Sequence, residues 1–240
     1  MYDLIVLGAT FAAAGIAQKF RKRCLIIERG TRAGYEFYGA LNFGASTQTA
    51  DLSSTALALE EKLYQSPDGV YGSERHIYPL LNAANVVLGA SPVSIERNGN
   101  AFVCKVLGVS GFVTYEGRSV VDTRCHEWMC LSKHYNFLME SPCVPNFAGV
   151  CYRQIPARSH YVISCPVPLS CSYPEARMAA FQVMQQFSDS QRLILSADEF
   201  DYHVQSGYPE IQEGILYLPS KGYETPALAF DAGLHIEEVE

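Results

Sequence analysis

The fold of this chain is decided near its beginning, where residues 2–30 run YDLIVLGATFAAAGIAQKFRKRCLIIERG. Residues 3–7 are a short apolar run, which is typical of a strand buried on both faces of a parallel sheet. Residues 11–23 predict a helix that is small and apolar at first and basic at its end. Residues 24–28 predict a second buried strand. The stretch therefore predicts a βαβ unit whose second strand ends in an acidic residue, Glu28.

The spacing within this unit is the one that a dinucleotide needs. Glu28 follows Gly8 by twenty positions, so a tight turn, a helix N-terminus and a carboxylate would meet at one edge of the sheet. Against the pattern Gly-x-Gly-x-x-Gly/Ala, the chain has Gly8, Thr10 and Ala13. Thr10 replaces the glycine that lets phosphate approach the backbone, so either its hydroxyl bonds the phosphate or the pyrophosphate lies farther out. An ordinary βαβ unit without a ligand is the alternative.

These residues resemble a known class of enzyme. Residues 2–8, YDLIVLG, and residues 26–30, IIERG, are similar to the N-terminus of FAD-dependent oxidoreductases of the glutathione-reductase-type two-dinucleotide-fold class. In that class the glutamate that ends the second strand binds the adenosine ribose, and a glycine-rich segment, similar to residues 34–44 here, passes the flavin. The resemblance implies cofactor-binding roles for Gly8, Thr10, Phe11, Ala13, Glu28, Arg29 and Gly39.

Composition limits the other classes of function. The chain has 240 residues, 48% of them hydrophobic and 18% charged, which is typical of a folded globular protein of one domain or two fused ones. The net charge of −7 argues against nonspecific nucleic-acid binding, because no surplus of Lys and Arg can displace counterions. No apolar run approaches the roughly 20 residues of a membrane span, and no signal-peptide pattern follows Met1. A cytoplasmic location is therefore the expectation.

The eight cysteines are expected to be reduced thiols. Cys24 and Cys104 lie in apolar strand-like runs, where cysteine is a small core residue. No Cys-x-x-Cys occurs, so the sequence supports neither a redox dithiol nor a zinc ribbon. Cys125 and Cys130, with His126 between them, have no second ligand pair at finger-like spacing. We therefore expect no metal site.

A change to period two in the middle of the chain predicts an antiparallel meander. Its three predicted strands are residues 92–96, 101–107 and 112–116. Asn98-Gly99 between the first two is a strong hairpin signal, and residues 119–122 predict a further short strand. The flavoprotein class has the same order of elements. The resemblance implies that a backbone contact to adenine falls near Val93.

The residues after the meander depart from the class. The class closes this region with Ala-Thr-Gly beside the pyrophosphate, where this chain has Asp122, Thr123 and Arg124. The resemblance assigns phosphate-side roles to Thr123 and Arg124. Either Arg124 makes a charge-assisted contact with phosphate or the site is degenerate.

Residues 125–189 are predicted to form a small β-rich substrate or cap region, and residues 1–124 and 190–240 a discontinuous dinucleotide-binding domain. The predicted strands of the cap region are short aromatic and β-branched runs at 135–139, 150–155 and 160–165. In the resembling enzymes a second sheet at this point shapes the substrate pocket. Its candidate acids, bases or anion clamps, which no fixed spacing ties to a partner, are His126, His134, His160, Arg153 and Arg158.

Local signals predict four further features. Residues 51–64 predict an amphipathic helix, and Pro79 predicts the start of a short helical piece that ends near Asn85. Residues 172–175, SYPE, have the form of a capping box. The acidic cluster at residues 198–201 predicts a solvated loop, because it lacks the alternating ligands of a calcium loop.

The last informative stretch is residues 214–233, which predict a strand, a glycine turn and a helix that begins near Pro226. This order is similar to the C-terminal flavin segment of the same class, where a helix N-terminus faces the flavin pyrimidine. The Gly-Asp that precedes that turn in the class is replaced here by Leu218-Pro219. The resemblance assigns the flavin contact to Gly222, Tyr223, Glu224 and Thr225.

Together these observations predict an α/β fold: a Rossmann-like FAD/NAD(P)-binding parallel sheet with an antiparallel β-meander and an inserted small β-rich layer. The expected function is an FAD-dependent oxidoreductase of unknown small-molecule substrate, in which the flavin carries hydride chemistry. Two alternatives are a non-redox protein that binds another adenine nucleotide such as NAD, and a degenerate flavoprotein-like binding or regulatory protein. Neither a nucleic acid nor a membrane is an expected partner, and a homo-oligomer or a partner subunit is left open.

Overall fold

The computed structural model describes residues 1–42, 44, 52–65, 73–155, 159–205 and 208–236. The chain divides into two compact units. The first comprises Met1–Tyr35, Phe43–Cys125 and Ser206–Glu240, and the second Glu36–Asn42 and His126–Gln205.

Thirteen strands and six α-helices lie in the described part of the chain. The strands are β1 Tyr2–Leu7, β2 Cys24–Ile27, β3 Asn85–Val87, β4 Ser91–Asn98, β5 Ala101–Gly108, β6 Gly111–Asp122, β7 Cys130–Glu140, β8 Cys151–Gln154, β9 His160–Val167, β10 Arg192–Ser196, β11 Asp201–Val204, β12 Glu210–Gln212 and β13 Ile215–Tyr217. The helices are α1 Phe11–Phe20, α2 Tyr35–Tyr38, α3 Ser54–Gln65, α4 Ser73–Leu81, α5 Tyr173–Met184 and α6 Pro226–Leu234.

The sheet of the first unit is the predicted Rossmann-like sheet. Its strands follow the order β12-β13-β6-β1-β2-β3, and β13, β6, β1, β2 and β3 run parallel. β2 and β3 lie on one side of β1 in the sheet, and β6 and β13 lie on the other side. The strand order therefore reverses between β1 and β6, and the crevice outside the carboxyl ends of these two strands is the topological switch point at which open α/β sheets bind ligands.

The predicted meander is confirmed as β4, β5 and the first half of β6, which pair antiparallel. The short strand predicted at residues 119–122 is not separate, because β6 continues through Gly117 to Asp122 and pairs there with β1. Gly117 faces both Phe102 of β5 and Tyr2 of β1. A Cβ at this glycine would lie 2.7 Å from Cγ1 of Ile5. β6 can therefore pair beside β1 at this point only with a residue that has no side chain.

Two helices cross at glycines in the first unit. A methyl group at Gly15 of α1 would collide with the carbonyl oxygen of Phe230, and one at Gly233 of α6 with that of Ala12. The backbones therefore approach as closely as heavy atoms allow. The predicted first helix is confirmed, although its last residues, Arg21–Arg23, form a 3₁₀ turn.

The other two helices of this unit refine the predictions. The helix predicted at 51–64 corresponds to α3, which spans Ser54–Gln65, and residue 51 lies outside the described residues. The prediction that Pro79 begins a helix is wrong, because Pro79 lies inside α4 near its end. Proline cannot donate the next backbone hydrogen bond, and α4 ends two residues later.

The second unit contains the predicted β-rich layer, a five-stranded antiparallel sheet around β7. Its order is β10-β7-β9-β8, and β11 pairs with the same edge of β7 as β10 does, farther along the strand. The predicted strands at 135–139, 150–155 and 160–165 correspond to parts of β7, β8 and β9. The boundary predicted at residue 190 is wrong, because β10 and β11 pair with β7 and bring residues 192–204 into this unit.

The two faces of β7 differ in chemistry. Tyr135 and Phe137 point to the side on which α5 packs, and their neighbours there form the apolar core of the unit. On the opposite side Asn136 donates to the carbonyl oxygen of Ala40 at 2.7 Å. α5 starts with the predicted capping box, in which the Glu175 carboxylate accepts from Ser172 N–H and Oγ–H at 2.7 Å each. At Asn136 the face of the sheet opposite α5 therefore carries a buried polar side chain.

All eight cysteines are free. Within the described residues, no helix combines the length and the apolar character that crossing a membrane requires. The same residues contain no group of three or more His, Cys, Asp or Glu side chains placed to hold a metal ion.

Candidate nucleotide site

Five of the residues singled out by the sequence lie at the carboxyl edge of the parallel sheet. Gly8 and Thr10 follow β1, Glu28 follows β2, and Thr123 and Arg124 follow β6. The edge is held together by backbone hydrogen bonds from Gly8 N–H to Ile27 O at 2.8 Å and from Thr123 N–H to Leu7 O at 3.0 Å. The fold thus brings these predicted residues to the switch point.

Gly8 makes the tight turn that the pattern requires. Its φ is +95°, a value that favours glycine, and it is buried. A Cβ at this position would lie 2.7 Å from Cγ of Arg124 and 3.0 Å from Oγ1 of Thr123. The stem of the Arg124 side chain therefore packs directly on the turn.

Glu28 reaches back to the turn with its carboxylate. Oε2 accepts the N–H of Ala9 at 2.9 Å, and Oε1 accepts the N–H of Gly30 at 2.5 Å. These two bonds fix the carboxylate beside the turn, and the side chain is half-buried. A carboxylate offers about four lone-pair sites, so two ribose hydroxyls can still donate to it. Arg29 is exposed next to it.

The hydroxyl of Thr10 caps α1. Its Oγ1 accepts the N–H of Ala13 at 3.1 Å and donates to Oγ1 of Thr123 at 2.8 Å. Oγ1 of Thr123 in turn donates to the carbonyl oxygen of Leu7 at 2.9 Å. A hydrogen bond between two threonines therefore spans the switch point from β1 to β6.

Ser220, which the sequence reasoning missed, also reaches the start of α1. It follows β13, and its N–H donates to Thr123 O at 3.0 Å. Its buried Oγ lies 3.5 Å from the N–H of Ala12, a long hydrogen bond. No sequence signal marks Ser220. The residues before it, Leu218-Pro219, only depart from the Gly-Asp that the flavoprotein class has at this point.

Asp122 is the second residue that the sequence reasoning missed. Its carboxylate is buried and holds the Arg124 guanidinium in a bidentate pair, Nε to Oδ1 at 2.9 Å and the terminal nitrogen to Oδ2 at 2.7 Å. Burial lowers the pKa of Arg124, but the hydrogen bonds and charge of Asp122, with the charge of Glu28, more than offset this and raise that pKa above its ordinary value. Arg124 is therefore a permanent cation between two carboxylates.

The C-terminal segment has the predicted form. α6 begins at Pro226 after its N-cap Thr225, whose Oγ1 accepts the N–H of Leu228 at 3.2 Å. Gly222 and Glu224 are exposed, and burial raises the pKa of Tyr223. Gly44, with φ of +65°, lies so close to this segment that a Cβ there would collide with the carbonyl oxygen of Glu224.

The other predicted cofactor residues have distinct positions. Val93 is exposed at a β-bulge of β4, where the register with β5 skips one residue. Phe11 and Ala13 are buried in α1. Gly39 belongs to the second unit, where its carbonyl oxygen accepts the N–H groups of Asp198 and Glu199 at 2.9 and 3.1 Å.

The second unit has its own buried polar cluster. Asp201 is only 2% exposed, which overturns the prediction that residues 198–201 form a solvated loop. Its Oδ2 accepts Nδ2 of Asn42 at 2.7 Å and lies 3.4 Å from Nδ2 of Asn136. Oδ2 also lies 3.8 Å from Nε2 of His203, whose ring is 4.9 Å from that of His134.

Of the four candidate acids, bases or anion clamps that the structure describes, two are tied to this cluster by these contacts. His134 lies against His203, and Arg153 donates to Oδ1 of Asn42 over 3.4 Å. His126 stacks on Trp128, and His160 pairs with Glu140 in the sheet register. Arg158 lies outside the described residues.

The structure is similar to solved flavoprotein structures. BexE, studied for oxidation during BE-7585A biosynthesis, superposes with a TM-score of 0.61 at 12% identity, covering 97% of this chain and 60% of that protein. The anhydrotetracycline hydroxylase OxyS from Streptomyces rimosus gives 0.59 at 13% identity, covering 90% and 55%. A flavoprotein/dehydrogenase from Cytophaga hutchinsonii gives 0.54 at 13% identity, covering 97% and 76%.

These likenesses establish the fold, a Rossmann-like α/β fold that this chain shares with those proteins. The chain spans no more than about three fifths of the length of the first structures that it matches. No family model matches the sequence, and no curated protein sequence matches it significantly.

The residues at the carboxyl edge fit the ribose of an adenine nucleotide better than they fit its phosphates. Glu28 has the position and the acceptor capacity for a ribose. On the phosphate side, Thr10 and Ser220 accept from the amides of Ala13 and Ala12, and Arg124 is held by Asp122. Phosphate can be bound there if Arg124 turns toward it, because the side chain of Arg124 is one third exposed.

Proposed function

We propose that the first unit binds FAD at the carboxyl edge of its parallel sheet and that the protein is an FAD-linked oxidoreductase. The observation that carries the proposal is the position of Glu28. It directly follows β2 and is tied to the turn after β1 by the 2.9 Å bond from Ala9 N–H, next to the switch point between β1 and β6.

Each part of the edge has a role in this proposal. Glu28 accepts the hydroxyls of the adenosine ribose, and the bulge at Val93 offers backbone to the adenine. The exposed Arg29 and the partly exposed Arg124 supply positive charge on the phosphate side. When bound, the flavin supplies the hydride chemistry, and the chain supplies binding, orientation and electrostatics.

The start of α6 is proposed to face the flavin pyrimidine. A helix N-terminus carries partial positive charge that favours an anion, worth about 0.3–1 kcal/mol and up to ~2 in a partly buried setting. Glu224 would oppose this effect if its carboxylate lay against the ring. Because Glu224 is exposed, its side chain can remain in solvent and leave the helix charge effective.

An absorption spectrum of the purified protein, before and after incubation with FAD and gel filtration, tests the proposal. Flavin bands that remain with the protein are the expected result. Release of an adenine nucleotide without flavin bands would instead support the alternative, a non-redox protein that binds a nucleotide such as NAD.

Replacement of Glu28 tests the residue that carries the proposal. We expect Glu28→Ala to weaken FAD binding by about 1–3 kcal/mol, because ribose hydroxyls lose a charged acceptor in a partly closed site. Glu116→Ala, which removes an exposed carboxylate from β6, is the matched control. Titration calorimetry that gives the two variants the same affinity would contradict the role of Glu28.

A second candidate is a flavoprotein-like binding or regulatory protein that has lost FAD. The Thr10–Thr123 hydrogen bond favours it, because this bond spans the crevice in which a pyrophosphate would lie. Failure to retain FAD, ADP and NAD at any tested concentration would support this candidate over the first.

A further inference from the structure

The Asp122–Arg124 ion pair is built into the phosphate side of the site. Asp122 accepts three hydrogen bonds from Arg124, two from the guanidinium and one at 3.0 Å from the backbone N–H. The bidentate geometry is the one in which a guanidinium binds either a carboxylate or a phosphate. Asp122 therefore occupies Arg124 in the way that a ligand phosphate would.

The position of the pair makes this competition relevant to the nucleotide. Cγ of Arg124 lies over Gly8, 2.7 Å from where a Cβ would be, so the guanidinium extends from the turn that the phosphates approach. The other charged groups that act on Arg124 are Glu28 and, when ionised, Tyr217. All of them are acidic, so an arriving phosphate meets a cation that the chain already neutralises.

The backbone around the pair is fixed on both sides, while the Arg124 side chain has room to move. Leu218 N–H donates to Asp122 O at 2.8 Å, and Thr123 N–H donates to Leu7 O at 3.0 Å. The side chain of Asp122 is 4% exposed, but that of Arg124 is 32% exposed. A change of partner therefore requires rotation of one arginine and no movement of β6.

We propose that Asp122 is an internal competitor of ligand phosphate for Arg124, and that this pair sets the preference of the site for phosphate-bearing over phosphate-free adenine ligands. When phosphate binds, the Arg124 guanidinium gives up its hydrogen bonds to the Asp122 carboxylate and donates to phosphate oxygens instead. Asp122 can act in this way only if adenine nucleotides bind at this edge, as proposed above.

A double-mutant cycle with two probes tests the competition. The wild type, Asp122→Asn, Arg124→Gln and the double variant are titrated with ADP and with adenosine by calorimetry. We expect Asp122→Asn to tighten ADP binding by about tenfold and to leave adenosine within about twofold, because it frees the donors of Arg124 without touching the ribose site. Arg124→Gln should weaken ADP binding and cancel the effect of Asp122→Asn.

Two further measurements keep the test decisive. Arg118→Gln, which removes an exposed arginine of β6, controls for net charge, and thermal melts verify folding. If Asp122→Asn does not fold, Arg124→Gln alone decides, since an unchanged ratio of ADP to adenosine affinity would overturn the proposal.

The outcomes separate this inference from the proposed function. Binding of ADP and adenosine by the wild type with no gain in Asp122→Asn overturns the competition and leaves FAD binding standing. Gain of ADP binding only in Asp122→Asn supports the competition and counts against FAD binding by the native chain. Absence of binding in both overturns both.

Discussion

The two sheets of this protein are buried in different ways. In the first unit β1 and β2 are largely apolar, and polar side chains collect after the strands end, at Thr10, Glu28 and Arg124. In the second unit Tyr135 and Phe137 of β7 face α5, and the polar side chains of His134 and Asn136 lie on the opposite face, in the middle of the strand. The difference indicates where chemistry can occur: at a sheet edge in the first unit and on a sheet face in the second.

The largest expected contrast is between the reactivity of the buried cysteines of the first unit and that of two exposed cysteines of the second. Burial raises the pKa of Cys24 from 9.0 to about 12, which leaves roughly 1000-fold less thiolate, and Cys104 is also buried. Cys143 and Cys151 of the second unit are exposed. We expect a thiol reagent at neutral pH to modify these two first, as mass spectrometry of timed samples would reveal.

Denaturation provides the control for this labelling. All eight cysteines should react in urea without reductant if they are thiols, as the sequence predicts. Early modification of Cys24, or fewer than eight reactive groups in protein protected from oxidation, would contradict the expectation.

The next prediction concerns the close contact between α1 and α6 in the first unit. Gly15→Ala should destabilise the protein by about 3 kcal/mol, because the added methyl meets the backbone of α6 at Phe230 and neither helix can yield cheaply. Gly108→Ala is the matched control, since a Cβ there lies an ordinary 3.9 Å from that of Ala90. Unfolding in urea, monitored by circular dichroism, gives the midpoint for each variant. Equal midpoints for the two variants would show that the helices are not in close contact.

Much of the fold was predictable because local patterns decide it. The apolar runs of β1 and β2 and the Asn98-Gly99 turn require only neighbouring residues. The boundary of the second unit was not predictable in this way, because β10 and β11 are short, and their partner β7 is decided by pairing across the chain. Pro79 misled for another reason: proline is typical of the first turn of a helix, whereas α4 begins at Ser73 and contains Pro79 near its end.

The site was predictable only in part. Gly8 and Glu28 follow from strand ends and spacing, so the sequence located them. Ser220 acquires its role by contact with Ala12, 208 positions away in the chain. Asp122 acquires its role because its side chain pairs with that of Arg124, and a backbone pattern does not indicate such a pairing. A pattern defined on backbone glycines cannot indicate which side chain replaces them.

The polar face of the second sheet gives a smaller effect on stability. Asn136 is 1% exposed, donates to Ala40 O at 2.7 Å and accepts from Ser164 Oγ at 2.7 Å. Asn136→Ala should cost about 2 kcal/mol, because it leaves the half-buried hydroxyl of Ser164 and the buried carbonyl of Ala40 without their partner. The single tryptophan, Trp128, lies in this unit and reports its unfolding. The exposed Asn146→Ala is the control, and an equal loss in both variants would argue against a buried network.

The smallest effect concerns the start of α5, which covers the apolar face of the same sheet. The hydrogen bonds from the Ser172 hydroxyl and then from its backbone N–H lower the pKa of Glu175 below 4.5. A carboxylate with a lowered pKa stabilises the folded state above its unfolded pKa, and this contribution is lost as the pH falls through the folded pKa. The difference in urea midpoint between wild type and Glu175→Gln should therefore be present at neutral pH and vanish in acid. Glu140→Gln, which also removes one exposed carboxylate of this unit, controls for net charge. A difference that persists unchanged below the folded pKa would mean that Glu175 stabilises α5 by something other than its charge-assisted cap.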